Sequence, residues 1–506
     1  MEYIFENFQE GYPSEALDIF SGTTIQTGII SKEIHEYSPL TSIRKDSPLT
    51  FQVSGTGATF IDMRNTRLYL ETNITNEDGS PIDDTDSVSV INAPGFTIFS
   101  KVDLLIQQIM VATTLGINYS FKSLMDILIP HKGCEIHPSV LESALYTKDP
   151  GGTLDNIEIP GSNTGLLKRS QYYSNGKTCE LEANLFHDFA LSSRFLPFGL
   201  DLIFKFYTQS DDFIIITNSR KKYKFNILNA VLKVCRVNVN PNLIAAQSDM
   251  LKKQPAIFPF LRSDIKTYSI PQNLTKYVID DITQGTVPSR VLVAIVEQRA
   301  YSPGNTKTNP FNFEHMYVDY IAFTVDGKSV PGEPLQVSYS KNDPEENIFE
   351  NNPGQPAEEP ANPPNANDPP VNDPGEPPVR ATRDVEPPHY PRSHTFRNRR
   401  DIDPNYKITE RTCLKAYTRL YDAFDTSPHN PETHISREEF AAGYTIYRFQ
   451  IGGPDARNYH NLIKKGHTRL IIGFNKPLHK PITIIVYSTL LSVVQIDAAR
   501  NITIRD

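Results

Sequence analysis

The chain has 506 residues and a mass of 57.1 kDa. A single hydrophobic core stops growing at ~250 to 300 residues, so this chain is long enough for two cores. Its net charge of −9 argues against a protein whose main work is neutralising nucleic acid, because phosphate binding requires concentrated lysine and arginine. With 39% hydrophobic residues, 39 prolines and 26 glycines, we expect two folded domains with many turns and mostly β structure.

Cysteine usage and hydropathy indicate the compartment. Cys134, Cys179, Cys235 and Cys413 lie far apart and form no CxxC pair, which favours a reducing compartment over a disulfide framework. The acidic first segment, MEYIFENFQEGYP, lacks the apolar core of a signal peptide. The longest apolar-rich run, Ile482 to Val494, is shorter than the ~18 residues of a membrane span. We therefore expect a soluble intracellular product with no transmembrane segment.

The first distinctive pattern is a Gly-x-Gly turn, Gly55 and Gly57, in the stretch PLTFQVSGTGATFIDM. Residues 1–47, which precede it, show no sustained period and are interpreted as an N-terminal arm. A phosphate-binding loop would need its glycines between a strand and a helix. The residues after Gly57 instead alternate with the period of a strand. The pattern therefore predicts a turn between two paired strands.

Short runs with strand periodicity recur after this turn. The run GLDLIFKFY, Gly199 to Tyr207, alternates apolar and polar residues, which is typical of a sheet packed on one side. The run ITIIVYSTLLSVVQI, Ile482 to Ile496, is rich in β-branched residues throughout and predicts a strand buried on both faces.

The order of predicted elements repeats in the two halves of the chain. In the first half, a strand at TRLYLETNI is followed by a hairpin, by the helix YSFKSLMDILI and by three strands that end with YKFNILNAVLKVC. In the second half, the strand SRVLVAIVEQ precedes a hairpin with an Asp326-Gly327 turn, the helix CLKAYTRLYDAF and three more strands. The repeat predicts two copies of one β unit, joined by a short helix that begins at Pro241.

A proline-rich segment interrupts the second half. Residues 341–391 hold fourteen prolines, where average usage of ~5% would give two or three. Few of its residues suit a core, so we expect an extended or disordered excursion. It falls between the predicted hairpin and helix of the second half, and we interpret residues 341–405 as an insertion on an outer surface.

Motifs that carry chemistry are weak in this sequence. His131, Cys134 and His137 have a spacing that resembles a zinc cluster, but Gly133 and Pro138 make a regular helix doubtful, so a polar loop is favoured. No HExxH, GxSxG or EF-hand pattern occurs. We predict no catalytic residue, no metal ligand and no cofactor.

Charged clusters also favour solvated loops over sites. The acidic clusters are Asp83, Asp84 and Asp86, and Asp211 with Asp212, and they have no apolar wall that would raise a carboxyl pKa. The basic runs are SRKKYK, at Arg220 to Lys224, and RNRR, at Arg397 to Arg400. We interpret them as loops or linkers and expect no sequence-specific contact with nucleic acid.

Several separated blocks, in one order, resemble a known family. They are YSPLTSI from Tyr37, FQVSGTGATFIDM from Phe51, SALYTKD from Ser143, YSPGNTKTNPFNFEH from Tyr301, SREEFAAGYTIYRF from Ser436 and NLIKKGHTRLIIGF from Asn461. These blocks are similar to the hexon-like major capsid proteins of Maverick/Polinton elements and adintovirus-like viruses. The resemblance extends from about Tyr37 to the end of the sequence, and the proline-rich segment departs from it.

The resemblance implies an all-β double jelly roll: two eight-stranded antiparallel β-barrels in tandem, with a few short helices in connecting loops. The expected division is an arm at residues 1–47, a first jelly roll at 48–240 and a second at 241–506 that carries the insertion at 341–405. The implied function is a major capsid protein of an icosahedral dsDNA virus shell. The implied partners are two further copies in a pseudo-hexagonal trimer, neighbouring capsomers, and penton and minor capsid proteins. The implied location is the virion, after synthesis and assembly inside the host cell.

Two other functions stay open. A minor, penton-like capsid protein usually needs one jelly roll, whereas this chain has material for two. A jelly-roll carbohydrate-binding protein or hydrolase is disfavoured because the chain has no tryptophan and no placed pair of acids.

Overall fold

A computed structural model of the chain describes residues 26–55, 57–83, 86–113, 118–130, 136–158, 160–302, 304–339, 413–420, 435–452 and 464–505. The insertion predicted at 341–405 lies outside these residues, as do residues 1–25 of the predicted arm. The jelly rolls described below belong to one compact unit of the chain.

The first jelly roll is built from antiparallel strands whose side chains alternate between core and surface. Its strands among the described residues are β1 (Ile29–Tyr37), β2 (Leu49–Val53), β3 (Phe60–Asn76), β4 (Val88–Val90), β5 (Phe99–Ile106), β6 (Ile109–Thr113), β7 (Cys179–Asn184), β8 (Leu202–Thr208), β9 (Ile215–Thr217) and β10 (Tyr223–Val239). One sheet has the order β1-β10-β3-β7 and the other has the order β2-β8-β5-β6. Strands β4 and β9 form a small separate pair.

The second jelly roll follows the same plan. Its strands are β11 (Ala256–Ile270), β12 (Lys276–Asp280), β13 (Thr286–Val287), β14 (Arg290–Glu297), β15 (Val318–Val325), β16 (Lys328–Ser329), β17 (Leu335–Gln336), β18 (Ile446–Gln450), β19 (Lys464–Lys465), β20 (Thr468–Phe474), β21 (Ile482–Ile496) and β22 (Ile502–Arg505). The main path of one sheet is β11-β21-β14-β18, and that of the other is β12-β20-β15-β16.

The two rolls share one topology. When the eight main-path strands of each roll are numbered along the chain, the sheet orders are 1-8-3-6 and 2-7-4-5 in both. Two antiparallel sheets with these crossovers form a jelly roll. The repeat of element order found in the sequence is therefore confirmed, and so is the all-β double jelly-roll fold.

Short helices occupy the connections, as expected. They are α1 (Pro94–Thr97), α2 (Tyr119–Leu128), α3 (Pro138–Ser143), α4 (Thr164–Tyr173), α5 (Asp211–Ile214), α6 (Pro241–Leu251), α7 (Gln298–Tyr301), α8 (Leu414–Arg419) and α9 (Arg437–Ala441), with 3₁₀ turns at Ser174–Gly176 and Asp188–Leu191. Helices α2 and α8 are the two helices that the repeat predicted. Helix α6 runs between the last strand of the first roll and β11, and Pro241 is in its first turn.

Burial follows the periodicity of the strands. In β8, Leu202, Phe204 and Phe206 are buried and their neighbours are half-buried, as the alternation predicted. In β21, every residue from Ile482 to Leu490 is buried, and alternation begins only after that point. The sheet of β21 therefore packs on both faces along that stretch.

The Gly-x-Gly turn has a different role from the one predicted. It joins β2 to β3, which lie in different sheets and are not paired with each other. A Cβ atom on Gly55 would lie 2.5 Å from the backbone nitrogen of Leu200, so this residue allows two chain segments to approach closely. Gly57 has a φ of +89°. The turn thus crosses between the sheets, and a strand rather than a helix follows it.

The segment interpreted as an N-terminal arm, residues 1–47, contains strand β1. This strand pairs with β10 from Ile29 opposite Val239 to Tyr37 opposite Leu232. Most of its side chains are exposed, including Ile30 at 65% and Ile34 at 58%. An edge strand with so little buried surface leaves no clean apolar alternation in the sequence.

Candidate functional site: the interface between the two jelly rolls

A hydrophobic core connects the two rolls. Phe189, in the 3₁₀ turn of the first roll, packs against Phe258 and Phe260 of β11 at ring-centroid distances of 6.2 and 5.4 Å. The cluster that contains these rings also holds Val494 and Ile496 of β21 together with the interior of the first roll. The outer face of the β11–β21 sheet is therefore buried against the first roll.

A buried ion-pair network lies in this interface. Lys122 and Asp126 are one helical turn apart on α2, and the Lys122 Nζ atom donates to Asp126 Oδ2 over 2.9 Å. Lys122 Nζ also donates to the carbonyl of Phe186 over 2.8 Å and lies 3.2 Å from Asp188 Oδ1. The Lys122 and Asp126 side chains are 1% and 0% exposed. Their protein partners therefore replace the water contacts that the two charges lose on burial.

The second roll completes the network. The Tyr487 hydroxyl of β21 donates to Asp126 Oδ1 over 2.9 Å, and Arg290 Nη2 of β14 lies 3.6 Å from the same oxygen. Ser263 of β11 donates to Asp188 twice, from its backbone nitrogen over 2.7 Å and from its hydroxyl over 2.8 Å. Asp126 and Asp188 of the first roll thus each accept hydrogen bonds from the second roll.

The electrostatics of the network favour its charged form. Burial disfavours the Lys122 ammonium, but the carboxylates of Asp126 and Asp188 outweigh this effect and raise the pKa of Lys122 well above its ordinary value. Burial raises the pKa of Tyr487, and the charge of Asp126 adds to that increase. At neutral pH the lysine is therefore protonated and the tyrosine is a neutral donor. Such groups fix the position of one roll on the other.

An aromatic cluster adjoins the network. Phe121 of α2 lies 5.8 Å from Phe213 of the first roll, and 5.9, 5.7 and 6.5 Å from Tyr301, Phe311 and Phe313 of the second, between ring centroids. Two of these contacts, with Phe213 and Phe311, are edge-to-face, the arrangement that aromatic rings prefer. Phe121 is 1% exposed and is the common neighbour of rings from both rolls.

A loop of the first roll makes a second polar contact with the second roll. Arg169 of α4 lies 3.0 Å from Asp149 Oδ1 and donates to Asp149 Oδ2 over 3.1 Å. The backbone carbonyl of Asp149 accepts from the Tyr444 hydroxyl over 2.6 Å. Burial raises the pKa of Asp149, and Arg169 opposes that rise in part. This buried pair holds the loop against the β18 end of the second roll.

The same loop continues the contact through Asp155. Its Oδ1 atom accepts from the backbone nitrogen of Asn309 over 2.8 Å, and its Oδ2 atom accepts from the Asn312 side chain over 2.6 Å. Lys148 forms an ion pair at 2.5 Å with Glu439, whose carboxylate also accepts from the backbone nitrogen of Ser436 at the start of α9. The two rolls therefore meet over an apolar core, a buried ion-pair network and a polar loop.

The residues considered for chemistry in the sequence have structural roles or lie outside the described residues. His131 and Cys134 lie outside them, and His137 caps α3 by accepting from the backbone nitrogen of Ser139 over 3.3 Å. In the part of the chain that the structure describes, no three His, Cys, Asp or Glu side chains are grouped to hold a metal ion.

The charged clusters are spread over separate contacts. Asp86 pairs with Lys221 over 2.7 Å, Asp211 accepts from the backbone nitrogen of Phe225 over 2.8 Å, and Asp212 accepts from that of Gly304 over 2.9 Å. Among the described helices, none is long and apolar enough to cross a membrane.

Sequence reasoning missed the interface residues. A Lys and an Asp four residues apart within the apolar helix YSFKSLMDILI were a signal, because charges on such a helix need buried partners. Their partners Asp188, Arg290 and Tyr487 carry no local signal.

No protein-family model matches the chain. A Caenorhabditis elegans protein, "Uncharacterized protein F54H12.2", is 22% identical over 311 residues, which cover 60% of this chain and 71% of that protein.

Solved structures match over nearly the whole chain. A chain in the cryo-EM structure of the Sputnik virophage aligns with a TM-score of 0.55 and 11% identity, covering 98% of this chain and 93% of its own. A chain of the PBCV-1 virus capsid aligns with a TM-score of 0.51 and 9% identity, covering 96% of this chain and 99% of its own. The Faustovirus major capsid protein aligns with a TM-score of 0.50 and 8% identity, covering 96% of this chain and 95% of its own. With these structures the chain shares the double jelly-roll fold.

Proposed function

We propose that the chain is the major capsid protein of an icosahedral dsDNA virus. The observation that carries this proposal is the buried interface that joins two jelly rolls of one topology, through Lys122, Asp126 and Asp188 on one side and Ser263, Arg290 and Tyr487 on the other. Such an interface holds the two rolls together as one block. The fold shared with chains of the Sputnik and PBCV-1 particles and with the Faustovirus major capsid protein supports this function.

We infer that three copies form the capsomer. Three two-roll blocks around a threefold axis present six similar rolls, so a trimer fits a pseudo-hexagonal lattice site. In light scattering of purified protein we expect a mass three times 57.1 kDa, and in electron microscopy we expect ring-shaped particles with six lobes. A stable monomer of intact fold at micromolar concentration would contradict the trimer.

The finer assignment, to Maverick/Polinton elements or adintovirus-like viruses, rests on the sequence blocks from Tyr37 to Phe474. We propose that the protein resides in the virion shell after assembly in the host cell. Its partners there are neighbouring capsomers, penton proteins and minor capsid proteins. The proposal includes no catalytic role, no cofactor and no sequence-specific contact with nucleic acid. A minor, penton-like role is less favoured because the chain contains two rolls.

The division into an arm, rolls at 48–240 and 241–506 and an insertion at 341–405 stays a prediction. We propose that the insertion projects from the outer surface of the shell, because its acidic first part would be repelled by packaged genome. Replacement of residues 345–400 by a short Gly/Ser linker should leave trimers and shells able to form. Loss of the trimer would contradict this placement, as would protection of the segment from protease in intact particles.

A further inference from the structure

Helix α6 presents apolar side chains to solvent. None of its 11 residues is buried among the described parts of the chain, and Leu243 and Met250 are 40% and 48% exposed. A helix of this length is marginal in water by itself, and helices in proteins gain most of their stability from a packed apolar face. The surface of α6 therefore has the character of a contact surface.

An apolar groove of about 590 Å³ lies beside this helix. Its walls come from α6, from the starts of β3 and β11 and from the loop before β8, and they include Phe60, Phe195, Leu243, Met250 and Ile257. Ile257 is 47% exposed. A groove of this volume accommodates several large side chains of a peptide segment.

The described chain begins at the edge of this groove. Gly28 and Ile29 line it, and the Gly28 carbonyl accepts from the backbone nitrogen of Asn240, next to α6, over 2.9 Å. Residues 1–25 are therefore tethered beside the groove. A short tether gives a segment a high effective concentration at a neighbouring site.

The chemistry of residues 1–25 matches the groove. The segment has five aromatic residues and no lysine or arginine, and its five acidic residues are Glu2, Glu6, Glu10, Glu15 and Asp18. Arg194 lines the groove, and the exposed Lys252 and Lys253 directly follow α6. We propose that residues 1–25 dock in this groove of their own chain, with aromatic side chains in the groove and carboxylates near these cations.

A photocrosslinking experiment on the full-length chain tests the docking. A benzophenone amino acid in place of Met250 faces the groove, and the matched control replaces Ala245, an exposed residue of α6 that does not line it. After illumination and digestion at acidic residues, mass spectrometry locates the crosslinked position. We expect crosslinks from position 250 to residues 1–20, and none to that segment from position 245.

Mixed ¹⁴N- and ¹⁵N-labelled chains separate a crosslink within one chain from one between copies. A crosslink to a second copy, to any other segment, or no crosslink from position 250 would overturn the proposal. The double variant Phe5→Ser/Phe8→Ser should lower the crosslink yield by about tenfold without a change of oligomeric state, and Gln9→Ser should not. An unchanged yield in the double variant would refute recognition by the aromatic side chains.

Discussion

The Tyr487 hydroxyl of the second roll donates a hydrogen bond of 2.9 Å to the carboxylate of Asp126 in the first roll. The two residues are 361 positions apart in the chain, and both side chains are buried. Asp126 also pairs with Lys122 of its own helix. If the two rolls moved apart, the buried carboxylate of Asp126 would lose this donor, so the hydrogen bond favours the observed position of the rolls.

Removal of one charge from this network should strongly destabilise the protein. We expect Lys122→Met to lower the free energy of unfolding by about 3 to 5 kcal/mol, because Asp126 and Asp188 would remain buried without their shared cation. Urea unfolding followed by circular dichroism measures the change. Lys252→Met, at an exposed ion pair, is the control and should change stability by less than about 1 kcal/mol. Equal effects of the two substitutions would contradict the role of the network.

The hydrogen bond between the rolls should appear as energetic coupling. We expect Tyr487→Phe to lower the free energy of unfolding by about 1 to 3 kcal/mol, because it removes a donor from the buried carboxylate of Asp126. In a double-mutant cycle with Asp126→Asn, the two effects should be non-additive by about 0.5 to 3 kcal/mol. Tyr172→Phe, at a tyrosine that is 55% exposed, is the matched control. Additive effects would show that the two side chains do not interact.

The aromatic cluster should depend on its central ring. Phe121→Ala removes the contacts with rings of both rolls, and we expect a loss of about 3 to 5 kcal/mol of unfolding free energy. Phe121→Leu should retain part of that energy, because it keeps most of the buried volume. Thermal unfolding of the three proteins gives the order. A Phe121→Ala variant as stable as Phe121→Leu would contradict a packed ring at this position.

The Lys148–Glu439 contact predicts a pH dependence. Burial opposes the shift, but hydrogen bonds from Lys148 and Ser436 lower the pKa of Glu439 below its ordinary value of 4.5. The folded state therefore binds this proton more weakly than the unfolded state, and the contribution to stability is present above pH 4.5 and lost as the pH falls below it. We expect the stability difference between wild type and Glu439→Gln, measured by urea titration, to be smaller at about pH 3 than at about pH 6. These two pH values lie about one unit or more below and above the ordinary pKa of 4.5. Glu438→Gln, at an exposed neighbour, should follow the wild type.

The two glycines of the first turn should respond differently to alanine. In Gly57→Ala the new methyl group meets open space, so only the backbone at a φ of +89° is strained, at a cost of about 1 to 2 kcal/mol. In Gly55→Ala the new Cβ would lie 2.5 Å from the Leu200 backbone, which cannot move without disturbing β8. We expect Gly55→Ala to be the more destabilising of the two in urea unfolding. The opposite order would show that the close approach is unimportant.

The sequence was sufficient for features that depend on neighbouring residues. Three such features are the alternation in GLDLIFKFY, the β-branched residues in ITIIVYSTLLSVVQI and the Asp326-Gly327 turn. The structure confirms the two strands and the turn that they predicted. Asp326 and Gly327 have φ values of 49° and 79°, as a two-residue turn between β15 and β16 requires. The repeat of element order then led to two similar rolls, because each element could be recognised separately.

Tertiary structure alone decided which surfaces of the rolls meet. Lys122 and Asp126 are neighbours on one helix, but Arg290 and Tyr487 reach Asp126, and Ser263 reaches Asp188, only when the second roll packs against the first. Strand β1 was missed for a related reason, since its partner β10 lies about 200 residues further along the chain and its own side chains are mostly exposed. Periodicity records how each residue is buried within its own element. The pairing of distant polar groups is set by how the folded rolls fit together. Because a buried charge without partners costs free energy, the interface is stable only when each buried charge has its partners.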